Sequence, residues 1–98
     1  MKEEVEESLR YLDGWKIVDS TIEKNYRFDN FQKAVEFINK VADVAERQNH
    51  HPDIFLWNWN NVKLKLTTHS LKSLSKDDFA LAANIESNIK IGQRFLLW

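Results

Sequence analysis

The amino-acid sequence predicts an α+β domain of two layers, in which helices pack on one face of a four-stranded, mostly antiparallel sheet. Two observations predict this fold. Segments that alternate apolar and polar residues come in sequential pairs with short links, as antiparallel strands do. Segments with one apolar stripe at helical spacing precede, separate and follow these pairs. The element order is therefore α-β-β-α-β-β-α, and 1–98 is expected to be a single domain because 98 residues suit one core.

The first half of the chain supplies one short helix, two strands and one long helix. Residues 3–12 form a helix with an acidic first turn, and residues 15–28 form the two strands. The long helix follows over residues 29–48, with Asp29 as its N-cap and Gln32 completing a capping box. The second strand has strict alternation, and the residues that share its inward face are Ile22, Lys24, Tyr26 and Phe28.

The second half begins with a hairpin over residues 54–69, after Pro52 has stopped the long helix. Asn60 and Asn61 are the predicted two-residue turn, because Asn tolerates the positive φ that such a turn requires. This register makes every inward pair apolar, and the pairs are Trp59 with Val62, Trp57 with Leu64 and Phe55 with Leu66. The two tryptophans are therefore expected to pack in the core or a sheet interface.

The last helix is predicted to begin at Ser75. Asp78 lies three residues further on and completes a second capping box. The apolar stripe of the helix consists of Phe79, Ala82, Ile85 and Ile89. Gly92 is expected to end it, and the apolar tail 95–98 is expected to fold back on the core or to cover a subunit interface.

The composition excludes several classes of function. The chain has 14 basic and 15 acidic residues and a net charge of -1, so direct binding of nucleic acid is not expected. The absence of Cys excludes thiol catalysis, and two isolated Gly exclude a phosphate-binding glycine loop. No apolar run reaches the roughly 18 residues that cross a bilayer. The acidic N-terminus is not a signal peptide, so we expect no membrane association and a cytoplasmic location.

The three histidines, His50, His51 and His69, are confined to a short part of the chain. In the predicted hairpin register His69 falls opposite Pro52, and therefore beside the other two. Two carboxylates are expected to join this cluster, those of Glu46 and Asp78. Because imidazole has a pKa of about 6.5, such a cluster predicts either acid–base chemistry near neutral pH or a metal site.

These residues also form a motif in sequence. It consists of an acid, three residues, His-His-Pro, an aromatic strand, a Thr-His pair and an Asp at the start of a helix. The matching positions are Glu46, His50, His51, Pro52, Thr68, His69 and Asp78. The motif resembles that of the pterin-4a-carbinolamine dehydratases, also named 4a-hydroxytetrahydrobiopterin dehydratases. The resemblance runs from Trp15 through the last helix, with departures at Ile54, which is often aromatic in the family, and at Ser73, which is commonly Gly.

The resemblance implies a hydro-lyase that converts 4a-hydroxytetrahydropterin into quinonoid dihydropterin and water, in tetrahydrobiopterin recycling. It implies an acid–base set of His50, His51 and His69, with Asp78 orienting an imidazole. The substrate-binding residues that it implies are Glu46, Pro52 and Thr68. No metal and no cofactor are expected, because the pterin is itself the substrate. The expected partners are further copies of the chain, as a homodimer or homotetramer, and a pterin-dependent hydroxylase.

Alternatives to this interpretation remain at the sequence level. Some members of the family act as partners of other proteins, so a non-catalytic interaction module is the second hypothesis. Three His and one acid can also hold a metal ion, which is the third. Among single residues, Asp78 is alternatively only a helix cap and Glu46 only a solvated side chain. Trp57 and Trp59 are alternatively a platform on which a pterin stacks.

Overall fold

The structure is a computed structural model, and it describes residues 12–89. The elements, in chain order, are β1 (Lys16–Val18), β2 (Thr21–Arg27), α1 (Phe31–Gln48), β3 (Asp53–Trp57), β4 (Asn61–Leu66) and α2 (Lys76–Asn88). The predicted helix over 3–12 lies outside the described residues except for its last position. Gly92 and the tail 95–98 also lie outside them, but the last helix already ends at Asn88 with Ile89 as its C-cap, so the prediction that Gly92 ends it is wrong. In the described part of the chain, no helix combines the length and apolar character needed to cross a bilayer.

The four strands form one antiparallel sheet in the order β1-β2-β4-β3, which confirms the predicted fold class. Helix α1 contacts both β4 and α2, so the core lies between the sheet and the two helices. Its fully buried side chains come from both layers and include Ile22, Tyr26, Val41, Val62, Leu64, Leu66, Leu81 and Ile85. The predicted inward face of β2 is thereby confirmed.

Helix α1 begins one residue later than predicted. Its N-cap is Asn30, whose side-chain oxygen accepts a hydrogen bond of 2.8 Å from the backbone N–H of Lys33. The predicted cap, Asp29, precedes it directly. Asp and Asn cap helices about equally well, so two adjacent candidates cannot be ranked from the sequence.

The predicted register of the hairpin between β3 and β4 is wrong. Trp57 lies opposite Asn61, and the turn consists of residues 58–60 instead of Asn60 and Asn61. Asn58 and Trp59 take the positive φ values, 49° and 53°. Asn60 is engaged with the neighbouring segment, because both its side-chain amide and its backbone C=O bond to the backbone of Phe28 at 2.8 Å.

This register changes which side chains of β3 face the core. Ile54 and Leu56 pack against the core, whereas Phe55 and Trp57 lie on the opposite sheet face and are about half exposed. Trp59 in the turn is 59% exposed. The expectation that the tryptophans pack in the core is therefore wrong. The other expectation, that they pack in a sheet interface, stays a prediction. Every residue from Ile54 to Trp57 is apolar, so alternation alone could not decide which pair points inward.

A buried polar cluster fastens α2 to β2. Glu86 of α2 accepts hydrogen bonds from the Tyr26 hydroxyl (2.6 Å) and from the Lys24 ammonium group (2.9 Å). The indole N–H of Trp15 donates to the same oxygen at 3.2 Å. Burial, and then the Glu86 carboxylate, raise the pKa of Tyr26 above its ordinary value of 10.0. The phenol therefore stays protonated and remains a donor to Glu86.

Candidate active site

Two adjacent histidines follow the end of α1 and precede β3. Asn49 ends the helix in the left-handed conformation (φ 56°), and its N–H bonds to the C=O groups of Ala45 and Glu46. Asn is among the few residues that adopt this conformation readily. The next N–H, that of His50, also bonds to Ala45, at 3.2 Å. This compact turn positions His50 and His51 at the C-terminal end of α1.

His50 forms a hydrogen bond with the first turn of α2. Its Nε2 lies 2.7 Å from Oδ1 of Asp78. The carboxylate is fully buried and the imidazole is 15% exposed. Because a buried carboxylate requires donors, the pair fixes the orientation of the ring and leaves Nδ1 as the ring nitrogen that can exchange a proton.

The other oxygen of Asp78 accepts two further hydrogen bonds. The backbone N–H of Ser75 lies 2.9 Å from Oδ2, and the hydroxyl of Thr68 lies 2.8 Å from it. The first of these belongs to the capping box of α2, which is confirmed. No buried side-chain nitrogen or oxygen in the described residues lacks a partner. Asp78 therefore caps the helix and also holds His50.

His51 forms a second histidine–carboxylate pair, close to the first in sequence but open to solvent. Its Nε2 lies 2.6 Å from Oε2 of Glu46, on the last turn of α1. The exposed fractions are 55% for the His51 side chain and 75% for that of Glu46. Neighbouring residues in an extended segment point to opposite sides, so His50 and His51 reach different carboxylates. Of these two adjacent histidines, His51 is the one that is open to a ligand.

His69 lies in the loop between β4 and α2, and the hairpin argument that placed it is wrong. Strand β4 ends at Leu66, and a single bridge between Thr68 and Ser73 closes the loop. Within residues 12–89 the exposed His69 side chain forms no hydrogen bond or ion pair with His50. The preceding residue, Thr68, nevertheless donates a hydrogen bond to Asp78. The Asp78 carboxylate therefore contacts both the start of this loop and His50.

Two contacts that the sequence did not predict join α1 to α2 beside this site. The amide nitrogen of Gln48 donates to the backbone C=O of Asp77 at 3.1 Å. Asn84 donates to the amide oxygen of Gln48 at 2.8 Å. No local pattern signals such a bridge, because Gln48 and Asn84 are far apart in sequence. It holds the C-terminal end of α1 against α2, where His50 meets Asp78.

The histidines and carboxylates do not form a metal site in the described part of the chain. No group of three or more His, Cys, Asp or Glu residues in it is arranged to hold a metal ion. The site is instead two separate histidine–carboxylate pairs, one buried and one exposed. Such pairs are suited to holding and exchanging protons.

Comparison with known proteins identifies the family. The sequence profile described as pterin 4 alpha carbinolamine dehydratase matches residues 1–88. The chain belongs to this family. Among these dehydratases, a relative from Rubrobacter xylanophilus is 40% identical over 85 residues, which are 86% of this chain and 78% of that protein. The mitochondrial pterin-4-alpha-carbinolamine dehydratase 2 of Arabidopsis thaliana is 35% identical over 88 residues, which are 86% of this chain and 47% of that protein.

The fold of the pterin dehydratase family is also seen in a solved structure. The transcriptional coactivator/pterin dehydratase from Brucella melitensis superposes with a TM-score of 0.81 at 34% identity. The match covers 89% of this chain and 94% of that one. The predicted family membership and α+β architecture are confirmed.

Proposed function

We propose that the protein is a dehydratase that removes water from a 4a-hydroxytetrahydropterin. The observation that carries the proposal is the pair of histidine–carboxylate contacts, His50 with Asp78 and His51 with Glu46, in a chain of the pterin dehydratase family. The product is a quinonoid dihydropterin. The reaction serves the recycling of tetrahydrobiopterin or a related pterin.

The chemistry requires one proton to be given and one to be taken. The bond between carbon 4a and the hydroxyl oxygen breaks, and the leaving hydroxyl takes a proton and departs as water. The electron pair of ring nitrogen 5 forms the new double bond to carbon 4a, and that nitrogen loses its proton. Nothing is oxidised or reduced, so the reaction needs no redox cofactor. Two suitably placed imidazoles are sufficient for these two proton transfers.

His51 and His69 have the exposure that contact with a pterin requires, whereas His50 is only 15% exposed. His51 exchanges a proton with the substrate, and Glu46 orients its ring and stabilises the charged form. His69 serves as the second proton-transfer group. His50, held by Asp78, completes the acid–base set with its free Nδ1. Pro52 frames the substrate-binding side, and the Thr68 hydroxyl is directed to Asp78.

The wider context of the reaction is part of the same proposal. The protein acts in the cytoplasm as a homodimer or homotetramer, and a pterin-dependent hydroxylase supplies its substrate. The net charge of -1 favours neither nucleic acid nor a membrane surface as a partner.

The proposal predicts accelerated dehydration of a freshly generated 4a-hydroxytetrahydropterin. The absorbance change that accompanies the loss of water should be faster with the full chain than in buffer. Protein treated with a chelator should retain its full rate, because the site works through imidazoles. A rate equal to that in buffer would contradict the proposal, and a rate that returns only on adding a metal ion would favour a metal-dependent hydrolase.

A second candidate function rests on apolar side chains that are exposed in the part of the chain that the structure describes. Phe55 and Trp57 on β3 and Trp59 in the following turn are each about half exposed, and the similar Brucella melitensis structure is named both coactivator and dehydratase. A role as an interaction module would survive replacement of His51 and His69 by Ala. Loss of the biological role in these variants would favour the enzyme.

A further inference from the structure

A chain of hydroxyl groups leads from the N-cap of α2 to the carboxylate of Asp78. The Thr68 hydroxyl has one hydrogen, and the carboxylate 2.8 Å away can only accept it. The Ser75 hydroxyl lies 2.6 Å from the Thr68 oxygen and must then be the donor in that contact. The Ser75 oxygen in turn accepts the N–H of Asp77 at 3.2 Å. The direction of donation is therefore fixed from Ser75 to Thr68 to Asp78.

This directed chain engages Oδ2 of Asp78, and His50 bonds to the other oxygen, Oδ1. Oδ2 is saturated by the Thr68 hydroxyl and by the Ser75 N–H, both shorter than 3.0 Å. Oδ1 therefore faces His50 Nε2 at 2.7 Å. A carboxylate held at one oxygen cannot rotate its other oxygen away from the ring. An ionised carboxylate accepts only, so Nε2 carries the hydrogen.

We propose that Thr68 is a positioning residue, which fixes the Asp78 carboxylate and through it holds His50 with a proton on Nε2 and with Nδ1 free for proton exchange. Thr68 thus acts through Asp78 and His50. The kinetic part of this inference rests on the proposed dehydratase function, whereas the placement of the proton belongs to the free protein.

The placement is testable by nuclear magnetic resonance of the isotope-labelled full chain without any ligand. The Nε2–H of His50 should give a resonance protected from exchange with water in the wild type and in Thr68→Ser, which keeps the hydroxyl. Thr68→Val has the same shape without the hydroxyl and should lose this resonance. Equal protection in Thr68→Val and in the wild type would overturn the proposal.

The order of the donors gives a second, independent arm. Ser75→Ala removes a hydroxyl that donates only to Thr68, so the His50 resonance should persist while the midpoint of urea denaturation falls through loss of the helix cap. If the resonance depended only on an intact N-terminus of α2, Ser75→Ala would lose it as well. That result would overturn the proposed direction of donation from Ser75 to Thr68 to Asp78.

The kinetic arm separates this inference from the proposed function. Thr68→Val should lower kcat for dehydration about tenfold with little change in KM, because a hydrogen bond to a charged group has been lost. Thr68→Ser should restore most of the rate. A wild type without dehydration activity would overturn the proposed function alone, since the resonance is read without substrate. If the wild type is active and Thr68→Val has the same rate and the same protected resonance, this inference alone would be overturned.

Discussion

His51→Gln should lower kcat for the dehydration of 4a-hydroxytetrahydropterin by about 10²- to 10⁴-fold, the range that positioned acid–base groups supply. Gln can still donate a hydrogen bond to Glu46, but it cannot take up or release a proton at neutral pH. The reaction would then lose one of the two exposed imidazoles that a substrate can contact directly. The measurement is the rate of the absorbance change under single-turnover conditions.

The same variant should fold normally. His51 and Glu46 are both largely exposed, and exposed ion pairs contribute little to stability. Its midpoint of urea denaturation should therefore match that of the wild type. Glu46→Gln keeps the imidazole and removes only its charged partner, so it should lose less activity than His51→Gln. Wild-type turnover in His51→Gln would show that another group transfers the proton.

Asp78→Asn should lower both the stability and the activity of the protein. The carboxylate is fully buried and accepts from His50, Thr68 and the Ser75 N–H. An amide of the same shape presents its NH₂ group either to His50 or to the Thr68 hydroxyl and the Ser75 N–H. Either the proton must leave His50 Nε2, or two buried donors lose their acceptor. The expected decrease in the free energy of unfolding is about 2–4 kcal/mol, measured by urea denaturation.

Asp77→Asn is the matched control for this prediction. Asp77 is exposed, lies in the same first turn of α2 and carries the same charge. Its replacement reports the effect of removing one negative charge from the helix N-terminus, about 0.3–1 kcal/mol. If the two variants lose equal stability, the contribution of Asp78 is electrostatic only, and its buried contacts do not stabilise the fold.

The part of the site that follows from local sequence was predictable. The Ser75–Asp78 capping box depends on a spacing of three residues, and the predicted box is present. His50 and His51 lie outside the helix because Pro52 limits how far α1 can extend. The family motif joined these segments to His69 before any geometry was known.

The long-range part of the site was not predictable from residue patterns. His50 and Asp78 are 28 residues apart, and no periodicity reports which carboxylate an imidazole reaches. The predicted register of the hairpin was wrong for a related reason. Residues 54–57 are all apolar, so either Ile54 and Leu56 or Phe55 and Trp57 could face a core. The turn was assigned to Asn60 and Asn61, whereas the positive φ values fall on Asn58 and Trp59.

Electron density for a bound oxidised pterin in a crystal of the full chain tests the central claim most directly, namely that the exposed histidine site takes the substrate. We expect the ring to lie against His51 and the loop that carries His69, with His50 behind it. A ring stacked on Trp57 and Trp59 at the opposite face of the sheet would contradict the claim.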